Sequence, residues 1–253
     1  MYRTITLILF FLGYSLFAIC QKEDTLMITS TPDTLSGKPK LRAVSFIIPA
    51  VLTGYGVLAI GDGPLTDLNY STKNELQEDR PFFKSAIDNY AQYAPAAAVF
   101  GLQAFGIKGK NSVKDEAVIY ATAMAINAAV VYPVKKFTAQ MRPDSSTANS
   151  FPSGHTATAF VAAEFLRKEY GGVSPWYGIG GYLVATGTGV FRMLNNRHWL
   201  GDIAAGAGIG IASVKLSYFI HDRIRWKRSF LSNTIVAPYY QNKNTGLVLC
   251  KSF

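Results

Sequence analysis

Uncharged stretches of bilayer-spanning length recur along this chain, separated by short polar segments. They cover 43–61, 89–107, 117–134 and 171–191, and a fifth, 203–220, is broken only by Lys215. Runs of about 18 to 20 residues match what a helix needs to cross a hydrocarbon core. Their Ala and Gly content suits closely packed helices. A shorter apolar segment, 156–166, contains Glu164 and stops at Arg167-Lys168-Glu169, too short to span unless 151–155 extend it. The pattern predicts an all-α helical bundle of about five to six core helices over 43–230, embedded in a membrane. A soluble bundle with Ala-rich buried helices fits the same pattern. Residues 62–88 read as an acidic loop. Two β-prone runs, 234–240 and 246–253, flank the turn-forming residues 241–245 and predict a small C-terminal β-hairpin within a tail over 231–253.

The first twenty residues carry Arg3, an apolar run and Ala18-Ile19-Cys20 ahead of a polar segment. This is the pattern of an export signal, with an uncleaved anchor and a lipoprotein leader as the alternatives. Residues 21–42 are polar, contain Pro32, Gly37 and Pro39, and read as a linker. Cations cluster at one set of segment ends: Lys38, Lys40 and Arg42, then Lys108, Lys110 and Lys114, then Arg167-Lys168, then 223–228. The positive-inside rule turns the other ends outward, toward the periplasmic face of an inner membrane. A cleaved leader would instead deliver residue 21 outside, so whether the first segment crosses stays open.

Composition sharpens this picture at two points. Charged residues make up only 16% of the chain, against about 25% in ordinary soluble domains, which calls for burial in lipid or in a large helical core. The net charge of +9 is spread in small clusters with no basic run interleaved with aromatics. It therefore points to anionic lipid or phosphate rather than nucleic acid. The two cysteines, Cys20 and Cys250, have no metal-type spacing.

Three blocks carry the candidate chemistry. Lys135 and Arg142-Pro143 follow an apolar helix, so their cations sit at its end and in the loop beyond. Pro152-Ser153-Gly154-His155 reads as a turn into a helix, where Gly154 admits close approach of an anion and free N–H groups add positive charge. In the third block, Arg192 precedes His198 and Asp202, whose i, i+4 spacing would put both on one helix face. The carboxylate could then accept Nδ1–H and leave Nε2 with its lone pair. Fixed cations, a nucleophile and an acid are what a tetrahedral phosphate requires. Ligand spacing suggests no metal and no cofactor.

The pattern Lys-x6-Arg-Pro, Pro-Ser-Gly-His and Arg-x5-His-x3-Asp resembles the type 2 phosphatidic acid phosphatase (PAP2) and vanadium haloperoxidase superfamily, in that order over about 70 residues. The resemblance implies a PAP2-type helical bundle in which His198 attacks phosphorus, Asp202 orients it and His155 protonates the leaving oxygen. It also implies that Lys135, Arg142, Ser153, the Gly154 amide and Arg192 hold the non-bridging oxygens. One departure is Phe191, where the family usually has serine before the third-block arginine. His221 reads as a surface residue at a helix end, Arg197 as solvated, headgroup-facing or catalytic, and Trp199 as a packing or interfacial residue.

The expected function is metal-independent hydrolysis of an anionic lipid phosphate or diphosphate through a phosphohistidine. The candidates are phosphatidic acid, phosphatidylglycerol phosphate, undecaprenyl diphosphate or a lipid A phosphate. A soluble periplasmic class A-like acid phosphatase, a vanadium-dependent haloperoxidase and a non-enzymatic binding module are the competing readings.

Overall fold

The computed structural model describes residues 39–232, 234–241 and 244–251, with side chains described over 39–225. The expected leader and most of the expected linker lie outside the described residues. A short 3-10 turn, Ala43–Phe46, opens into α1 (Ile47–Leu58), followed by α2 (Pro64–Asp79), α3 (Ile87–Ala91) and α4 (Ala94–Ala104). Then come α5 (Val113–Thr138), α6 (Gly154–Tyr170), α7 (Pro175–Leu194) and α8 (Leu200–Ser232). Thr234–Gln241 (β1) and Asn244–Lys251 (β2) pair antiparallel, with Thr234 opposite Lys251 and Gln241 opposite Asn244.

Helix α6 is the centre of the bundle, packed against α4, α5, α7 and α8. Thirteen of its side chains, from Thr156 to Tyr170, are buried. Small residues at 157, 159, 162 and 163 admit neighbours on every side, while Phe165 and Tyr170 fill the core beside Val99, Ile119 and Val214. Glu164, which made this segment look interrupted in the sequence, is fully buried. Arg167 grips it through Nε at 2.7 Å and Nη2 at 2.9 Å, Tyr182 Oη donates at 2.6 Å, and Lys215 Nζ stands 3.6 Å away. A buried carboxylate survives only when paired and hydrogen-bonded in this way.

Glycines bring α8 against α6. A Cβ on Gly206 would lie 2.6 Å from the Ser153 carbonyl oxygen, and one on Gly210 would collide with the Ala157 carbonyl. That approach is what lets the Ser153 amide donate to the Asp202 carbonyl at 3.0 Å, joining the second and third blocks.

The structure divides the apolar stretches and corrects one expectation. Five stretches have spanning length in the sequence; among the described residues two helices, Val113–Thr138 and Leu200–Arg225, are long and apolar enough to cross a membrane. The stretch 89–107 is divided into α3 and α4 ahead of Pro95, which lies at the start of α4. The stretch 43–61 yields only the shorter apolar unit Ala43–Leu58. The correction concerns the acidic loop, most of which is the sixteen-residue helix α2. Gly63-Pro64 was its start signal, with proline at a position whose N–H needs no intrahelical partner.

Among the described residues, the segments carrying the basic clusters of α5, α6 and α8 adjoin at one end. Lys110 N–H donates to the Glu169 carbonyl, and His221 Nε2 meets Asp115 Oδ1 at 3.1 Å, so the start of α5 and the ends of α6 and α8 adjoin. His221 is 8% exposed, so it is a packed residue rather than the surface one expected. The three blocks gather at the other end of these helices.

Candidate active site

Each block is placed by a helix terminus. Lys135 lies in the last turn of α5, which ends in a left-handed residue, Ala139 (φ 44°). Ser153 is the N-cap of α6, its hydroxyl accepting from the Thr156 amide, and Gly154 and His155 open the helix. Arg192 lies in the last turn of α7, and Asp202 in the first turn of α8. An anion among them would face the N-termini of two helices, where unpaired N–H groups carry partial positive charge.

His198 and Asp202 do not share a helix face, because α8 begins only at Leu200. Instead the Asp202 side chain reaches back over the helix start. Its Oδ2 accepts from the Trp199 amide at 2.9 Å and lies 3.3 Å from His198 Nδ1. The same oxygen accepts a hydrogen bond from Ser150 Oγ, while Oδ1 has no partner. His198 is 3% exposed. Burial pushes its pKa down to about 4, with Lys135 and Arg192 adding to the effect against the opposing pull of Asp202. The ring is therefore neutral near pH 7, with Nδ1 turned to the carboxylate.

His155 meets a different partner. Its Nε2 is 2.9 Å from Asn89 Oδ1 on α3. The neighbouring Asp88, itself buried, accepts from Arg192 Nη1 at 2.8 Å. One short helix outside the three blocks thus holds both the second histidine and a phosphate-binding candidate. Burial lowers the His155 pKa to about 4, reinforced by Arg192, Arg142 and Lys135 and opposed by Asp88.

The cations surround these histidines. Lys135 Nζ donates to the carbonyls of Asn149 and Ser150 at 2.7 and 3.2 Å. Arg142 keeps its backbone N–H on Thr147 O, and its buried Nε has no partner, as is true of Arg192 Nε. Burial and the nearby Arg192 and Arg197 lower the Arg142 pKa, a consequence of crowded positive charge. Ser153 is completely buried, its hydroxyl 2.9 Å from Thr156 Oγ1 as well as capping the helix. Arg197 pairs with Asp144 at 3.0 Å, and Trp199 donates through Nε1 to Met141 O while Lys73 lies over its ring. Among the described residues no three His, Cys, Asp or Glu side chains group as metal ligands.

The structure brings all eight sequence-predicted residues to one end of the bundle. It adds four that the sequence reading missed: Ser150, Asp88, Asn89 and Asn195, the last donating to Ser85 O at 2.9 Å beside Asp88. Their contacts to the site span 48 to 110 positions along the chain, and no local periodicity signals such pairs.

The chain is similar to known proteins over part of its length. The lipid A 1-phosphatase of Porphyromonas gingivalis (strain ATCC 33277) is 43% identical over 143 residues. That alignment covers 56% of this chain and 32% of the relative, so the chain spans about a third of that protein's length. The crystal structure of Aquifex aeolicus LpxE matches at TM-score 0.44 and 22% identity, over 57% of this chain and 93% of that one. The first transmembrane PAP2 type phosphatidylglycerolphosphate phosphatase from Bacillus subtilis matches at 0.47 and 19%, over 70% and 97%. The family model of the PAP2 superfamily matches residues 116–226, which include all eight predicted site residues. Through this segment the chain is similar to the PAP2 superfamily.

Proposed function

We propose that this protein is a membrane-embedded, metal-independent phosphatase that hydrolyses a lipid phosphate through a phosphohistidine at His198. The observation that carries the reading is a buried, neutral His198 held at Nδ1 by Asp202 within the field of Lys135 and Arg192. Nε2 attacks phosphorus in line. Lys135, Arg142, Arg192 and the Gly154 amide take up the charge growing on the non-bridging oxygens, which strengthens each contact in the transition state. Ser153 supports that amide by capping α6. His155 gives a proton to the leaving oxygen, then removes one from the water that cleaves the P–N bond. A dianionic phosphate beside His155 raises its proton affinity, supplying the protonated form the first step needs.

Membrane embedding rests on the two long apolar helices and on large apolar side chains left exposed. These include Val51 and Leu58 on α1, Val118, Tyr132 and Phe137 on α5, and Trp176 and Leu183 on α7. The basic ends turn toward the cytoplasm and the site toward the periplasm. Among lipid phosphates, the kinship with a lipid A 1-phosphatase favours the glycosidic phosphate of a lipid A-like glycolipid.

Purified protein in detergent, given a panel of lipid phosphates with and without a chelator, tests the reading. Phosphate release should be greatest from the glycolipid, unchanged by chelator, and fall by about 10³-fold or more in His198→Ala. Retained turnover in that variant, or loss with chelator, would overturn it.

A further inference from the structure

Ser150 stands outside the three blocks, yet it joins them. It is completely buried. Its backbone is held by the first block: the N–H donates to Gln140 O at 2.9 Å, and the carbonyl accepts from Lys135 Nζ at 3.2 Å. It leads directly into Phe151-Pro152-Ser153 of the second. Its side chain belongs to the third, donating to Asp202 Oδ2 and standing 3.5 Å from His198 Nδ1.

The proton count in this contact is informative. A serine hydroxyl has one hydrogen, and an ionised Asp202 can only accept, so that hydrogen goes to Oδ2. Ser150 Oγ then presents a lone pair to the imidazole. His198 Nδ1 faces two acceptors and no donor, which keeps its proton on Nδ1 and leaves Nε2 bare. Asp202 depends on the same contact. Because Oδ1 is unpartnered, only the Trp199 amide and Ser150 resist rotation of the carboxylate on the side away from the ring.

We infer that Ser150 is a positioning residue for the nucleophile, fixing the Asp202 carboxylate and the Nδ1–H tautomer of His198. Through its main chain it also ties the height of the nucleophile to Lys135. The kinetic consequence rests on the phosphoryl-transfer reading above; the tautomer consequence does not.

The test uses full-length protein in micelles, and the presence of only three histidines makes nitrogen-15 labelling tractable. His198 signals, assigned against His155→Ala and His221→Ala, should show a single Nδ1–H tautomer in the wild type and a mixture in Ser150→Ala. With a lipid phosphate, Ser150→Ala should lower kcat by about tenfold to a hundredfold while KM moves less than about threefold. In an Asp202→Ala background the same change should cost less than about twofold, because the carboxylate it positions is gone. Ser150→Thr, which restores the hydroxyl, should recover the tautomer and part of kcat. An unchanged tautomer overturns the inference, and so does an equal proportional loss with and without Asp202. If Ser150→Ala does not fold, Ser150→Cys keeps the shape with a weak donor, and wild-type kcat and spectrum in that variant overturn it. Should the wild type hydrolyse no phosphate ester, the functional reading fails while the tautomer result still decides the role of Ser150.

Discussion

His155 and His198 share a depressed pKa of about 4 and reach it by different balances of the same forces. Burial is the largest cause for both. His198 is pulled back by its own carboxylate, whereas His155 has Asp88 as a weaker counterweight and an amide, Asn89, as its contact. A phosphate-sized anion should separate them: it adds negative charge beside His155, while His198 keeps its own carboxylate, Asp202, at Nδ1. Histidine nitrogen-15 titration should place both midpoints well below the usual value near 6.5, with inorganic phosphate or vanadate moving His155 upward. The sign for stability follows. Both rings are neutral when folded and take up protons when unfolded at acid pH. Their contribution is complete above about pH 6.5 and is lost as pH falls toward 4. Asn89→Asp should lift the His155 midpoint by placing a carboxylate on Nε2, measured by the same titration.

Among the elements, α6 and α8 carry the site, and their closeness depends on side chains that are missing. Gly206→Ala would drive a methyl to within 2.6 Å of the Ser153 carbonyl. Main chain cannot yield as a flexible side chain can, so α8 must move. The expected cost is about 1 to 3 kcal/mol, read as a lower melting temperature. Activity should fall further than stability alone implies, since the Ser153 amide to Asp202 carbonyl contact lies in the path of that movement. Helix α3 makes a different point. It has five residues and lies outside 116–226, yet Asp88 and Asn89 hold Arg192 and His155. Asp88→Ala would leave the Arg192 guanidinium buried without its partner, a loss of about 3 to 5 kcal/mol for such pairs. The measured signs would be a raised KM and a lower melting temperature together.

For the whole molecule, charge and apolar exposure are arranged along the helix direction. The basic clusters lie where α5 starts and α6 ends, while the phosphate-binding candidates lie at the opposite termini, so the two cationic groups serve different surroundings. Exposed apolar side chains on α1, α5 and α7 between these ends predict that carbonate and high salt will leave the protein in the membrane pellet. Release into the supernatant would favour the soluble bundle.

The three blocks were legible in the sequence because each is local: a helix end with a lysine, a cap with glycine and histidine, a histidine and carboxylate a few residues apart. Chemistry set within a short run of chain needs no tertiary information to be recognised. Helix α2 was misread as a loop because its many polar residues hid the proline start signal. Burial of Glu164 was unreadable because its partners come from three helices. Sequence by itself determined the helical class, the eight candidate residues and the kind of anion they suit. Only the tertiary structure decided that Ser150, Asp88 and Asn89 complete the site, and that Asp202 reaches His198 by folding back over a helix start. The physical reason is that hydrogen bonds and ion pairs act over about 3 Å in space, whatever the separation along the chain.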